Sequence, residues 1–251
     1  MFSKKLAGAL AVLAATAVVP IAVAQEVPAP TPEPVVVPLC EELQATVVGT
    51  DGNDVLFADP NGSVIVAKGG NDVIVGRGGN DTICADDGDD VVLAFRGDDV
   101  INGGDGDDDI YGMGGRERVH AGLGVDFVDG GAGGDFFLHG DNDEDIVLGG
   151  PGQDDLFGGD ESDKLRGGGG VDIMHGGQER DILEGQRGND QLFGNDGNDD
   201  LLGGPGDDKK LHGGEDDDRL DGGAGSDTEC LGNGELVDDA PADVDVIRNC
   251  E

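Results

Sequence analysis

The run Gly185-Gln-Arg-Gly-Asn-Asp-Gln-Leu-Phe193 is followed without a break by Gly194-Asn-Asp-Gly-Asn-Asp-Asp-Leu-Leu202, so one nine-residue pattern occurs twice in succession. The same unit, GGxGxDxUx with U apolar, can be written continuously from Gly49 to Cys230 as twenty copies. Eighteen copies have nine residues and two have ten, the additions being placed near Leu148 and within Lys209-Lys210. Position four is Gly in fifteen copies, the exceptions being Asn61, Asn142, Glu161, Glu179 and Asp216. Position six is Asp in seventeen, with Ser63, Glu117 and Glu144 as the others, and position eight is apolar in nineteen.

A single apolar residue between two mostly polar ones reads as a very short strand with out, in, out alternation, and the Gly-rich first six residues read as a turn. Each unit is then half a coil. Two units close a coil of eighteen residues, and stacked coils pair their strands in parallel with the eighth positions in one narrow core. The expected fold is all-β, a parallel β-roll. One buried apolar residue for nine ordered ones is a thin return against chain entropy, and rows of carboxylates one coil apart add repulsion. The pattern therefore asks for a cation.

Composition supports that reading. Fifty-five Asp and Glu against fifteen Lys and Arg give a formal charge of -40, which excludes nucleic acid or an anionic membrane surface as a natural partner. Asp carboxylates and the exposed carbonyls of Gly-rich turns are hard oxygen donors suited to Ca²⁺, whereas Mg²⁺ demands stricter octahedral geometry. Soft metals are disfavoured because His120, His139, His175 and His212 form no close zinc-type pair in the sequence. No EF-hand loop is present.

The first residues, Met1-Phe-Ser-Lys-Lys5 followed by an apolar run from Leu6 to Val19 and by Ala22-Val-Ala24, have the three parts of a secretory signal peptide cleaved after Ala24 (residues 1–24). Residues 25–38 carry prolines at 28, 30, 32, 34 and 38 and read as an extended tether. Residues 39–48 include the alternating Leu43, Ala45 and Val47 of a capping strand, and residues 231–251 form a C-terminal cap in which Asp243-Val-Asp-Val-Ile247 offers a last strand beside Cys250. Glu229 falls in an eighth position, where the core row is expected to stop. The four cysteines, Cys40, Cys84, Cys230 and Cys250, allow three pairings in an exported chain.

The unit resembles the repeats-in-toxin family, also called haemolysin-type calcium-binding repeats, and the region before Gly49 is similar to the leading segment of secreted actinobacterial-type members. The resemblance spans Gly49 to Cys230 and implies a right-handed β-roll that folds when Ca²⁺ fills its turns, with roughly ten ions held between successive coils. The ligands it implies are the sixth-position carboxylates. One row holds Asp54, Asp72, Asp90, Asp108 and Asp126, continuing through Asp163, Asp181, Asp199 and Asp218. The other holds Asp81, Asp99, Asp135, Asp154 and Asp172, continuing through Asp190, Asp208 and Asp227. Ser63, Glu117 and Glu144 mark weak sites. The resemblance also favours Cys40 with Cys84, which leaves Cys230 with Cys250.

The function expected is calcium binding by a secreted, non-catalytic structural or surface module, compatible with a cell-surface or extracellular-matrix partner and with no membrane insertion. A hydrolase or protease carrying such repeats as an accessory domain is the main alternative, but the chain holds no HExxH, GxSxG or Walker motif. An ice- or ligand-binding solenoid would need a regular row of Thr or Asn. The ninth positions run Phe57, Val66, Val75, Cys84, Leu93, Asn102, Tyr111 and His120 instead.

Overall fold

The computed structural model describes residues 43–232 and 246–250. They form 23 short strands in two parallel sheets of 11 and 12 strands, with no helix among the described residues. Successive strands fall alternately in the two sheets, except that Phe127–Asp129 and Ala132–Gly133 both pair with Asp109–Gly115, and strands pair with strands two units away. Val64–Val66 pairs with Thr82–Cys84 at a shift of eighteen, and Leu56 faces Ile74 in the other sheet by the same rule. The result is a parallel β-roll of about ten coils.

The core is built mainly from eighth-position side chains. Ile65, Ile74, Ile83, Val92, Ile101, Ile110, Val119, Val128 and Leu138 continue through Val147, Leu156, Leu165, Met174, Leu183, Leu192, Leu211 and Leu220, all at most 1% exposed. Short β-branched and leucine side chains suit this slot because each coil leaves room for one aliphatic residue per sheet.

The turns need left-handed backbone at the second and fourth positions. Fourth-position glycines supply it freely: Gly97 has φ +148°, and a Cβ there would lie 2.0 Å from the Gly79 carbonyl oxygen of the preceding coil. Where the chain has no glycine the geometry persists at a cost on the order of 1–3 kcal/mol each, as at Glu161 (φ 70°) and Glu179 (φ 67°).

Two register assignments made from the sequence are corrected. The first extra residue lies at Phe137, not near Leu148: pairing shifts between Phe136 and Leu138, and Phe137 takes φ 107° as a bulge. Every position from there to Leu148 moves by one, so Asp145, not Glu144, occupies the sixth position, and Asp143, not Asn142, the fourth. Asp145 is 2% exposed, whereas Glu144 is exposed. The physical reason is that the shift puts Val147 into the core opposite Val128 and keeps a short carboxylate in the row. At the far end Glu229 takes φ 58° and Cys230 pairs with Leu211, so Cys230 rather than Glu229 continues the core row. The extra residue at Lys209-Lys210 lies where expected, with Lys210 facing Gln191 and Leu211 facing Leu192.

Val246–Arg248 adds a last strand to the second sheet beside Arg219–Asp221, while residues 243–245 of the expected strand lie outside the described residues. Cys230 and Cys250 are disulfide-bonded with a Cα separation of 6.2 Å. Cys40, the proposed signal peptide and the proline-rich tether also lie outside the described residues, and no described cysteine is a free thiol. No helix among the described residues is long and apolar enough to cross a membrane.

Candidate metal centre

The sixth-position side chains form two ladders, one at each turn of the coil. The backbone N–H of Asp72 donates to Oδ1 of Asp90 at 2.6 Å, Asp90 to Asp108 at 2.8 Å, Asp108 to Asp126 at 2.7 Å and Asp126 to Asp145 at 2.8 Å. The row continues from Asp145 to Asp163, Asp181 and Asp199 at 2.8 Å per step, and from Asp199 to Asp218 at 2.9 Å. On the other side Asp81 donates to Asp99, and Asp135, Asp154, Asp172, Asp190, Asp208 and Asp227 follow one another in the same way. All of the sequence-derived candidates except Asp54 are at most 2% exposed.

These bonds use one oxygen of each carboxylate. The other, Oδ2, is buried and accepts no hydrogen bond in, for example, Asp72, Asp81, Asp108, Asp154, Asp181 and Asp227. An unpaired buried anionic oxygen is strongly unfavourable, and it recurs here coil after coil. The surrounding space has a consistent shape. A Cβ on first-position Gly103 would lie 2.3 Å from Oδ2 of Asp108 and 2.4 Å from the carbonyl oxygen of Ala121, one coil on. Gly149 has the same neighbours, Asp154 Oδ2 and the Gly167 carbonyl, both at 2.7 Å. In the units that begin with glycine, the free carboxylate oxygen and a stacked carbonyl thus converge on a cradle that the missing side chain leaves open.

Electrostatics follow from that crowding. Burial, reinforced by neighbouring carboxylates, pushes Asp108, Asp145, Asp163 and Asp181 up to about 8. Burial raises Asp126, Asp154 and Asp172 to about 7 and Asp81, Asp90, Asp99, Asp199 and Asp208 to about 6. Asp72, Asp135 and Asp190 are also shifted upward by burial. Without a counter-cation the ladders hold their charge poorly. No three His, Cys, Asp or Glu side chains among the described residues surround one metal position, so an ion in this cradle must combine carboxylates with backbone carbonyls, the oxygen set Ca²⁺ accepts.

The N-terminal turn differs. Oδ2 of Asp54 accepts the backbone N–H of Thr50 at 2.6 Å and its hydroxyl at 2.9 Å, and Ser63 Oγ accepts the N–H of Asp59 at 2.8 Å. These two turns hold protein hydrogen-bond donors, and Asp54 does not share the orphaned oxygen of Asp72, Asp108 and Asp181.

Two further features escaped the sequence reading. Fifth-position Asn and Asp side chains form an outer ladder in the opposite direction, Asp107 N–H to Asp89 at 3.2 Å and Val125 N–H to Asp107 at 3.0 Å. Along one sheet, ninth-position rings stack coil upon coil: His139, Phe157, His175 and Phe193 have centroids 5.6, 5.2 and 4.7 Å apart and nearly parallel planes. Their spacing of eighteen residues was the available signal. Burial in this stack lowers His175 to about 4. Asp141 is hydrogen-bonded to His120 Nδ1 at 3.2 Å, and His139 Nδ1 lies 2.8 Å from its other oxygen. Burial opposes its ionisation, but these two imidazoles outweigh it and hold Asp141 near 2.

No curated protein matches the chain. A family model for the RTX calcium-binding nonapeptide repeat matches residues 46–60, 62–92, 96–116, 114–137, 148–183, 175–209 and 210–229, well over half of the chain. Its stacked turns, sixth-position carboxylates and open glycine cradles accord with that match, and the chain belongs to the family of RTX calcium-binding repeat proteins.

Proposed function

We propose that the protein is an exported, non-catalytic structural module whose folding is driven by calcium. The observation that carries this reading is the column of buried Oδ2 atoms with no hydrogen-bond partner. Sixth-position Asp side chains, with first-position carbonyls from the next coil, would hold the ions. Calcium supplies the positive charge that lets the carboxylates stay ionised while buried, so its binding energy becomes folding energy. The signal-like N-terminus supports export, where millimolar calcium is available, and a chain inside a cell would stay largely unfolded until released. The repeat occupies nearly all of the chain beyond the tether, which favours a structural or surface role over catalysis.

The test is a calcium titration of the full chain followed by far-ultraviolet circular dichroism. The expected result is little β-structure in chelator at neutral pH, a cooperative gain as calcium rises, and no equivalent gain with Mg²⁺. Identical spectra in chelator and in calcium would overturn the reading.

A further inference from the structure

Guanidiniums are scarce in a chain of formal charge -40, yet three stand together on one edge of the roll. Where the chain passes from the 12-stranded into the 11-stranded sheet, successive coils carry Arg77, then Phe95 and Arg96, then Met113 and Arg116, all of them exposed. The parallel register sets these residues one above another, with Phe95 facing Met113 and Arg96 facing Gly114. The Arg77 and Arg116 guanidiniums lie over the Phe57 and Phe136 rings at 4.7 and 5.1 Å, on either flank of the same edge. The arginine ion pairs of the described residues lie elsewhere, at Arg166, Arg180 and Arg219. One exposed acid, Asp98, is interleaved with the basic group.

Phe95 and Met113 are its costly members. They take φ 77° and 74° at a second position that glycine fills at Gly104, Gly122 and Gly150, and they are 37% and 40% exposed. Left-handed backbone under a bulky side chain and bared hydrocarbon both act against the isolated roll. Aromatic, Met and Arg side chains together are also the composition enriched in protein contacts.

The opposite edge of the same coils is complementary. Its third positions run Asp87, Asp105 and Leu123, each facing the next in the parallel register. A cavity of about 670 Å³ opens there between Asp51, Asp86, Asp87 and Asp105, with Lys68 in its wall. Beside it the fifth-position ladder runs from Asp89 through Asp107 to Val125. Leu123 and Val125 are 48% and 56% exposed. Each edge thus combines a charged row with two bared apolar side chains, and the charges are opposite.

We propose that copies of this chain associate edge to edge with their roll axes parallel, the arginine edge of one against the aspartate edge of the next. Arg96 and Arg116 then meet the carboxylates around Asp87 and Asp105, and Phe95 and Met113 meet Leu123 and Val125. Because the two patches lie on opposite edges of the same coils, every copy offers both halves of the contact and the row stays open. A two-fold pair through either patch would set like charge against like. The contact needs the folded roll, so it rests on the calcium reading above and is sought in saturating calcium.

Sedimentation velocity of the full chain over rising protein concentration reads the association, and circular dichroism of the same samples reads the fold. Species beyond the dimer should grow with concentration. Phe95→Gly with Met113→Gly should keep the calcium-loaded spectrum, since glycine suits both φ values, and should weaken association at least about tenfold. Asp87→Ser with Asp105→Ser should weaken it from the other edge. A mixture of the two double variants should stop at the dimer, because one intact edge of each kind remains. A folded chain that stays monomeric, that stops at a closed dimer, or that associates as well with Phe95→Gly and Met113→Gly overturns the proposal alone. A chain without β-structure in calcium overturns the calcium reading and this proposal with it.

Discussion

The coils before and after Phe137 are built from the same repeat but hold together differently. In the first nine units the first position is alanine five times, and Ala58, Ala67, Ala85, Ala94 and Ala121 all pack into the core at 2% exposure or less. Their methyls add a second apolar file beside the Ile and Val of the eighth positions. From Gly130 onward every first position is glycine, the cradle is open, and the eighth position is mostly Leu. The N-terminal turn is also closed by Thr50, whose N–H and hydroxyl donate to Asp54 Oδ2. The same solenoid is thus stabilised more by hydrocarbon at one end and more by its carboxylate ladders at the other, where the aromatic and imidazole stack adds a contribution of its own.

The largest expected effect of this difference appears on calcium removal. When calcium is lowered stepwise at neutral pH, amides in residues 145–229 should lose hydrogen-exchange protection at a higher calcium concentration than amides in residues 64–102. Exchange read by mass spectrometry of peptides from the two regions checks this. Simultaneous loss across the roll would show that the alanine file and the Thr50 closure do not separate the two halves.

Protons should substitute for calcium in part. The sixth-position carboxyls are raised by burial from an unfolded value of 3.8 to about 6 in Asp81, Asp90 and Asp99 and to about 8 in Asp145, Asp163 and Asp181. A group raised on folding contributes stability that is complete below its unfolded value and is lost as pH rises through its folded value. His175 works in the opposite sense: lowered from 6.5 to about 4 by burial, it withdraws stability as pH falls through that window. Calcium-depleted protein should therefore gain β-structure near pH 5 and lose it between about pH 6 and 8, the middle coils from Asp108 to Asp181 being the more pH-sensitive because their carboxyls are shifted further than those at either end, such as Asp81 and Asp208. A calcium-free chain that stays disordered at pH 5 would show that charge repulsion is not what keeps the roll open.

The eighteen-residue coil, its parallel register and its carboxylate rows are legible in the sequence because each depends on one residue type at one position of the unit. The insertion at Lys209-Lys210 is legible too, but the one that falls at Phe137 is not. Between Asp135 and Asp154 the segment Phe136-Phe-Leu-His-Gly140 offers several places for an extra residue, and local pattern alone does not choose Asp145 over Glu144. The choice is made by packing, since the bulge at Phe137 places Leu138 and Val147 in the core and Phe137 among the stacked rings. The same holds at Glu229, where the backbone turns aside so that Cys230 can enter the core row. The ring stack depends on contacts between residues eighteen apart, a periodicity hidden because it mixes His with Phe.

The smallest effect separates the two kinds of first position. Ala85→Gly removes one buried methyl, about 0.8 kcal/mol, and adds backbone freedom to the unfolded chain, roughly 0.5–1 kcal/mol, so it should lower stability by about 1–2 kcal/mol in saturating calcium. The reverse change in the other half does not return that energy. At Gly167 a new Cβ would lie 2.5 Å from Oδ2 of Asp172, inside any normal contact, so Gly167→Ala must displace a ladder carboxylate. It should destabilise as well and raise the calcium midpoint, while Ala85→Gly leaves the ladder oxygens in place and moves the midpoint less. Urea unfolding in excess calcium, together with calcium midpoints for both variants, reads these outcomes. A stabilising Gly167→Ala would mean that the glycine cradle is not needed around the free oxygen, and that the two halves of the roll hold their ions, if any, in the same way.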